Sequence, residues 1–282
     1  MNNFQIFNQI SGMTSKLVTE KYSTSFSRAS TLFKPEIRQH IYNIYGFVRF
    51  ADEIVDTFHD FDKAKLLDEF ERNYRDALVN GISLNPILHS FCETQKANHI
   101  PQDLVDAFLH SMRMDLGEIK NLNDAKYNEY IYGSAEVVGL MCLKVFVNGN
   151  QEVYERLKPY AQSLGAAFQK INFLRDINAD YRELSRTYFP NVDFRCFSVH
   201  DKCNIEKDIA KDFAHALEGI KMLPVSSRLA VFMAYKYYTN LFKKIKQCNP
   251  ETLMKKRIRV SNTRKIYLLG EMLVFKNLNF VR

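Results

Sequence analysis

This sequence predicts an all-α fold, a single-domain helical bundle around a central space. Three observations predict it. Gly (10) and Pro (7) are sparse in a chain of 282 residues, too few to punctuate the many turns of a β protein. Apolar residues recur at helical spacing through long uninterrupted stretches. No stretch alternates apolar and polar residues as a half-buried strand does. Hydrophobic residues make up 46% and aromatics 13%, enough for a substantial core. Residues 1–282 read as one domain, with no linker and no low-complexity segment.

Phe4, Phe7, Ile10, Leu17 and Val18 indicate an amphipathic N-terminal helix. The hydroxyl-rich stretch Tyr22-Ser-Thr-Ser-Phe-Ser27 follows. Pro35-Glu36 marks a helix start, since proline suits the first helical position and an acid suits the positive end of the dipole. That helix runs to about Phe58. A third spans roughly Lys63 to Val79 and closes at Asn80-Gly81. Pro86 and Pro101 open two more, the later one ending within Met112 to Glu118. Tyr127 to Val147 reads as one helix, and Asn148-Gly149-Asn150 as a turn. A long helix is expected from about Pro159 to Glu183, with Tyr188-Phe-Pro190 marking its exit into a loop. Helices near 205–222, 226–247 and 251–277 complete the chain.

The net charge of +7 is unevenly spread. Between Lys243 and Lys265 stand nine basic residues against one acid, Glu251, which leaves the remainder close to neutral. Such a segment attracts phosphates, nucleic acid or an anionic membrane, but a solvated helix face accounts for most of these lysines. No nucleic-acid partner is expected. The five cysteines show no CxxC spacing and are odd in number, so they read as reduced thiols of a cytosolic protein. The N-terminus lacks a signal peptide's apolar run and no stretch reaches about 18 consecutive apolar residues, so no transmembrane helix is expected and any membrane contact is expected to be peripheral. Oligomeric state is not legible.

Two helical faces carry the chemistry. In Gln169-Lys-Ile-Asn172-Phe-Leu-Arg175-Asp176-Ile-Asn-Ala-Asp180, residues 169, 172, 176 and 180 share one face. It holds two amides and two carboxylates, while Ile171, Phe173, Leu174 and Ile177 supply apolar surface to bury elsewhere. Taken alone, this face is either solvated or lines a polar cavity. The earlier helix repeats the pattern with Tyr45, Arg49, Asp52 and Asp56. Each Asp-x-x-x-Asp pair sets like charges at i,i+4, which destabilises an isolated helix by a few tenths of a kcal/mol. Two such pairs call for a compensating cation. Carboxylates without His or Cys at ligand spacing favour a hard ion such as Mg²⁺, with Mn²⁺ the alternative, and Mg²⁺ completes its shell with water and substrate phosphate oxygens.

Ser25-Phe26-Ser27 followed by Tyr45-x-x-x-Arg49-x-x-Asp52-Glu53-x-x-Asp56 resembles the first aspartate-rich region of the squalene/phytoene synthases. Leu164-Gly-x-x-x-Gln169-x-x-Asn172-x-x-Arg175-Asp176-x-x-x-Asp180 resembles their second. Met114-Asp115-Leu116, Tyr132-Gly-Ser-Ala-Glu-Val-Val-Gly139-Leu-Met and Tyr188-Phe-Pro190 are similar to shorter family stretches, in the same order and at similar separations. The resemblance covers nearly the whole chain. It implies a prenyltransferase that joins two prenyl diphosphates head to head through a cyclopropylcarbinyl diphosphate, releasing diphosphate. For this chain the leading expectation is phytoene from two geranylgeranyl diphosphates, a step of carotenoid biosynthesis. Squalene or dehydrosqualene formation from farnesyl diphosphate is the alternative, and a fold-retaining assembly factor is the non-enzyme alternative. No NADPH is expected, since no nucleotide-binding glycine fingerprint occurs.

The resemblance also implies roles. Asp52, Asp56, Asp176 and Asp180, with Asn172, would hold metal and diphosphate. Arg49 and Arg175 would clamp diphosphate through bidentate contacts, although Arg175 alternatively pairs with a neighbouring acid. Ser23 and Ser25 would contact diphosphate or else cap a helix. Gln169 would bind near the metal or the prenyl head, and Arg257 would reach the diphosphates. Tyr45, Tyr132 and Tyr188 would line the path of the carbocation, although a tyrosine taken alone is more often core. Glu136 departs from the small residue of many relatives and is either solvent-facing or part of the pocket. Little consequence is expected of Glu53.

Overall fold

The computed structural model describes residues 2–117, 122–182 and 186–261 together with positions 263, 267 and 270; of 179, 180 and 182 it describes the backbone alone. The chain forms α1 (Asn3–Tyr22), α2 (Thr24–Ser30), α3 (Pro35–Asp56), α4 (Lys63–Asn80), α5 (Pro86–Ala97) and α6 (Gln102–Met114). It continues through α7 (Asp124–Ile131), α8 (Val137–Phe146), α9 (Gln151–Arg182), α10 (Val199–Met222), α11 (Val225–Gln247) and α12 (Pro250–Leu253). No strand occurs among the described residues, so the all-α class is borne out.

Local chemistry explains most boundaries. Asp62 and Asn85 cap α4 and α5 by accepting from first-turn backbone N–H groups. Gly81 ends α4 in the left-handed conformation (φ 71°), which glycine adopts without a Cβ penalty. Two apolar clusters hold the bundle. One centres on Phe47, Phe91, Phe108 and Tyr74, between α3, α4, α5 and α6, with Phe47 and Phe91 stacked 3.9 Å apart. The other joins Ile171 and Leu174 of α9 to Ile209, Leu241 and Ile245 of α10 and α11. Truncating a fully buried Phe such as Phe47 to Ala costs about 3–5 kcal/mol. Helix α8 packs on both α3 and α9.

Four expectations require correction. The long helix does not begin at Pro159 but at Gln151, with Pro159 inside it. Asn150 accepts from the N–H of Val153, and the buried Tyr154 and Leu157 anchor the first turns, which outweighs the backbone hydrogen bond that proline removes. Helix α10 likewise starts earlier, at Val199, behind a Ser198–Asp201 capping box. The stretch from Tyr127 to Val147 is interrupted by one π-helical turn, Tyr132–Glu136. That turn is wedged between helices: a Cβ on Gly133 would lie 2.6 Å from the Ala107 carbonyl oxygen of α6, and a Cβ on Gly165 of α9 would lie 2.7 Å from that of Ala135.

The helix expected over 251–277 stops at Leu253. Residues 257–261 are not helical: Ile258 and Val260 point inward while Arg257 and Arg259 face solvent. This period-two alternation is the signature of extended backbone. Beyond 261 the expectation lies outside the described residues, except that 263, 267 and 270 are helical.

Candidate active site

Helix α3 brings Tyr45, Arg49, Asp52 and Asp56 to one face, as its spacing requires. Tyr45 is half-buried, stacked on Phe26 of α2 (4.9 Å) and hydrogen-bonded to Ser23; burial pushes its hydroxyl up to about 12. Ser23 is also the N-cap of α2, its side chain accepting from the N–H of Phe26 at 3.2 Å. Ser25 sits half-buried in the first turn of α2. Arg49 is ion-paired with Glu53 one turn on, and its guanidinium carbon lies 4.6 Å from the Tyr22 ring centroid. Glu53 is therefore not inconsequential: it is buried and holds Arg49.

Burial pushes the Asp52 carboxyl up to about 8; the neighbouring Asp56 adds to this, Arg49 opposes it, and Asp115 pushes it further. Asp56 meets Arg186, whose Nη1 donates to Oδ1 at 2.9 Å. The other arm of the Arg186 guanidinium, Nη2, donates to the Asp115 carbonyl at 2.9 Å. Asp115, at the end of α6, is buried, and the Tyr130 hydroxyl reaches its two carboxylate oxygens at 2.9 and 3.0 Å. Burial raises the Asp115 carboxyl to about 7, with Arg186 pulling the other way. Burial opposes the charge on Arg186, but Asp115 and Asp56 outweigh it and hold its pKa above the usual arginine value.

Helix α9 presents the second face. Arg175 forks onto Asp176, with Nε at 3.0 and 3.1 Å and Nη2 at 2.5 Å. Arg257, from the extended segment after α12, reaches the same carboxylate, Nε to Oδ1 at 2.7 Å. Asn172 donates to Gln169 (3.4 Å) and accepts from the Tyr238 hydroxyl of α11 (3.3 Å). Tyr238 stacks on Phe168 and lies close enough to Tyr45 to influence its titration. Tyr238, which bonds Asn172 of α9 and influences Tyr45 of α3, thus links the two faces on one side, while Arg186, just beyond α9, ties Asp56 of α3 to the end of α6. Asp180 lies on α9, and its side chain lies outside the described residues.

The two remaining tyrosines differ in their surroundings, Tyr188 lying beside Tyr130 and near enough to Arg186 to act on its charge. Tyr132 opens the π turn, and the carboxylates that influence its hydroxyl are Asp103 and Glu136. Tyr188 is buried, stacked on Phe173 at 4.0 Å beside Tyr130. Glu136 accepts from Gln162 of α9 at 2.8 Å, on the flank where Lys170 spans Asp208 and Asp212 of α10, so it belongs to a polar seam between helices. Sequence reasoning passed over Arg186, Tyr130 and Tyr238 and gave Asp115 no role. A lone acid and a lone arginine 71 positions apart leave no periodic signal.

Residues 19–264 match the family model described as squalene/phytoene synthase. The chain is 28% identical over 271 residues to phytoene synthase 1, chloroplastic, of Solanum lycopersicum, covering 89% of this chain and 65% of that protein. It is 27% identical over 203 residues to 4,4'-diapophytoene synthase of Staphylococcus haemolyticus, covering 69% and 67%. Among solved structures, a dehydrosqualene synthase in complex with ligand superposes with a TM-score of 0.82 at 22% identity, covering 98% of this chain and 99% of that one.

Proposed function

The chain belongs to the squalene/phytoene synthase family, and on that premise we propose that it couples two prenyl diphosphates head to head with release of diphosphate. The finer reading is geranylgeranyl diphosphate as substrate and phytoene as product. The observation that carries the proposal is that each acidic face already holds arginine: Arg186 on Asp56 of α3, and Arg175 and Arg257 on Asp176 of α9. Carboxylates threaded with guanidinium groups suit a diphosphate.

The donor set fits a hard divalent cation. It consists of carboxylate and amide oxygens, and Asp52, its carboxyl raised chiefly by burial and further by Asp56 and Asp115, would ionise only with positive charge beside it. Asp52 and Asp56 from α3 and Asn172, Asp176 and Asp180 from α9 would hold Mg²⁺, with Mn²⁺ the alternative. Such an ion supplies Lewis-acid stabilisation of the leaving diphosphate.

The chain's own residues do the rest. Arg175 and Arg257 exchange the Asp176 carboxylate for diphosphate oxygens, which fit the same guanidinium fork. Arg49 is oriented by Glu53 and by the Tyr22 ring. Ser23 and Ser25 stand at the start of α2, where hydroxyl and backbone N–H groups receive negative charge. Gln169 sits one turn before Asn172, toward the prenyl head. Tyr45, between Ser23 and Tyr238, offers a polarisable ring beside the reacting carbons. Tyr188, beside Tyr130 and Arg186, and Tyr132, at the start of the π turn, line the wall. Farnesyl diphosphate is the second reading, because a relative named for a diapophytoene product matches about as well as one named for phytoene.

Incubating the purified protein with Mg²⁺ and either geranylgeranyl or farnesyl diphosphate, then identifying the hydrocarbon, tests the proposal. Phytoene from the longer substrate is expected. Product from farnesyl diphosphate alone moves the assignment to the shorter chain, and no hydrocarbon from either sinks the coupling reaction.

A further inference from the structure

Helix α1 is built inside out. Its buried face is Ser11, Gly12, Ser15, Val18 and Thr19, dominated by small and hydroxyl-bearing residues. The Ser15 hydroxyl bonds that of Ser90 at 2.8 Å, and the Gly12 carbonyl accepts from Gln39 at 2.8 Å, so close packing and hydrogen bonds seat the helix on α3 and α5. Its large apolar side chains point outward: Ile6, Ile10, Met13 and Leu17 are 40, 54, 60 and 53% exposed. Their spacing of i, i+4, i+7 and i+11 lines them into one stripe about 16 Å long. Scattered exposed apolar residues need no explanation, but a continuous stripe on a well-seated helix does.

We infer that this stripe docks the protein on an anionic lipid surface, with α1 lying in the plane of the membrane interface. The area argues against a second copy of the chain. Four side chains at about half exposure present on the order of 400 Å², well below the ~800 Å² per partner of a standard protein interface. The charge argues for anionic lipid. By helical position Lys21 borders the stripe on one side and Glu20 on the other, with Lys16 just beyond Glu20 and 3.7 Å from it, so the flanks carry a net positive charge. Lysines at the edge of an apolar stripe extend their ammonium groups to the headgroup level.

The position completes the inference, in a step that rests on the proposed function. Helix α1 ends at the candidate site: Tyr22, its last residue, lies under Arg49, and Ser23, the next, bonds Tyr45. A membrane-seated α1 therefore sets the site beside the phase that stores an amphiphilic prenyl diphosphate and receives a hydrocarbon insoluble in water.

The test is cosedimentation of the full chain with phosphatidylcholine–phosphatidylglycerol vesicles. The wild type is expected in the pellet. The double variant Ile10→Gln, Met13→Gln is expected to partition at least roughly tenfold less, with an unchanged thermal midpoint because both positions are exposed. Equal partitioning of the two proteins overturns the inference. So does a wild type that ignores vesicles, including one that dimerises through this stripe in sedimentation velocity. The readout needs no turnover: vesicle binding without hydrocarbon product from either diphosphate sinks the proposed reaction and leaves the docking intact, and turnover of detergent-dispersed substrate without vesicle binding does the reverse.

Discussion

Arg186 and Asp56 meet at 2.9 Å across 130 positions of sequence, and the same guanidinium reaches back to the Asp115 carbonyl. One arginine beyond α9 thereby fixes the end of α3 against the end of α6. The Arg186→Gln variant removes the positive charge that opposes the raised pKa of Asp115. The sign follows from linkage. An acid whose folded pKa (about 7) lies above its unfolded value contributes stability that is full below the unfolded pKa and lost as pH rises through 7. Without Arg186 that loss deepens. The variant is expected to be destabilised by less than about 1 kcal/mol at pH 5 and by about 3 kcal/mol at pH 8, in denaturant titrations at both values. A pH-independent difference would show that Asp115 does not sense Arg186.

Asp52→Asn and Asp176→Asn are expected to abolish hydrocarbon formation, but their stabilities should diverge. Asp52 is held up near 8, chiefly by burial and further by Asp56 and Asp115, so replacing it with the neutral amide removes the cost of a buried charge and leaves the metal-free melting temperature unchanged or higher. Asp176 is the partner of Arg175 and Arg257, so its replacement costs about 1 kcal/mol at this partly exposed site. Product assays and thermal melts on both variants check this; near-full activity of either sinks the ligand assignment.

Glu53→Ala removes the ion-pair partner of Arg49, a guanidinium whose Nε is already buried without a hydrogen-bond partner. A loss of about 2 kcal/mol in stability and a raised KM for the prenyl diphosphate are expected. Glu53→Gln, which keeps the shape and a hydrogen-bonding oxygen, should recover most of the stability. If KM is unmoved in both, Arg49 does not contact substrate.

Gly165→Ala places a methyl 2.7 Å from the Ala135 carbonyl oxygen and forces the π turn off α9. The expected cost is about 1–3 kcal/mol in thermal unfolding, with a loss of turnover as the turn shifts. Ala at Gly270, where nothing lies within 4 Å of the added carbon, is the control and should be neutral or stabilising.

What the sequence determined by itself was whatever repeats or caps locally. Helical spacing identified α3 and α9 as carriers of paired carboxylates, because a face of a helix is set by residues a few positions apart. Gly81 after α4 and Pro35 at the start of α3 fixed those boundaries by backbone chemistry alone. The extended 257–261 segment was also legible in the Arg-Ile-Arg-Val alternation, but it is shorter than the helical periodicity around it and was passed over. Tertiary structure alone decided the rest. The Arg186–Asp56–Asp115 junction, Arg257 on Asp176, the placement of Glu136 between α9 and α10, and the outward stripe of α1 each depend on which distant helices meet. A contact between single residues far apart in the chain imposes no period, and a helix does not record which of its faces the bundle will cover.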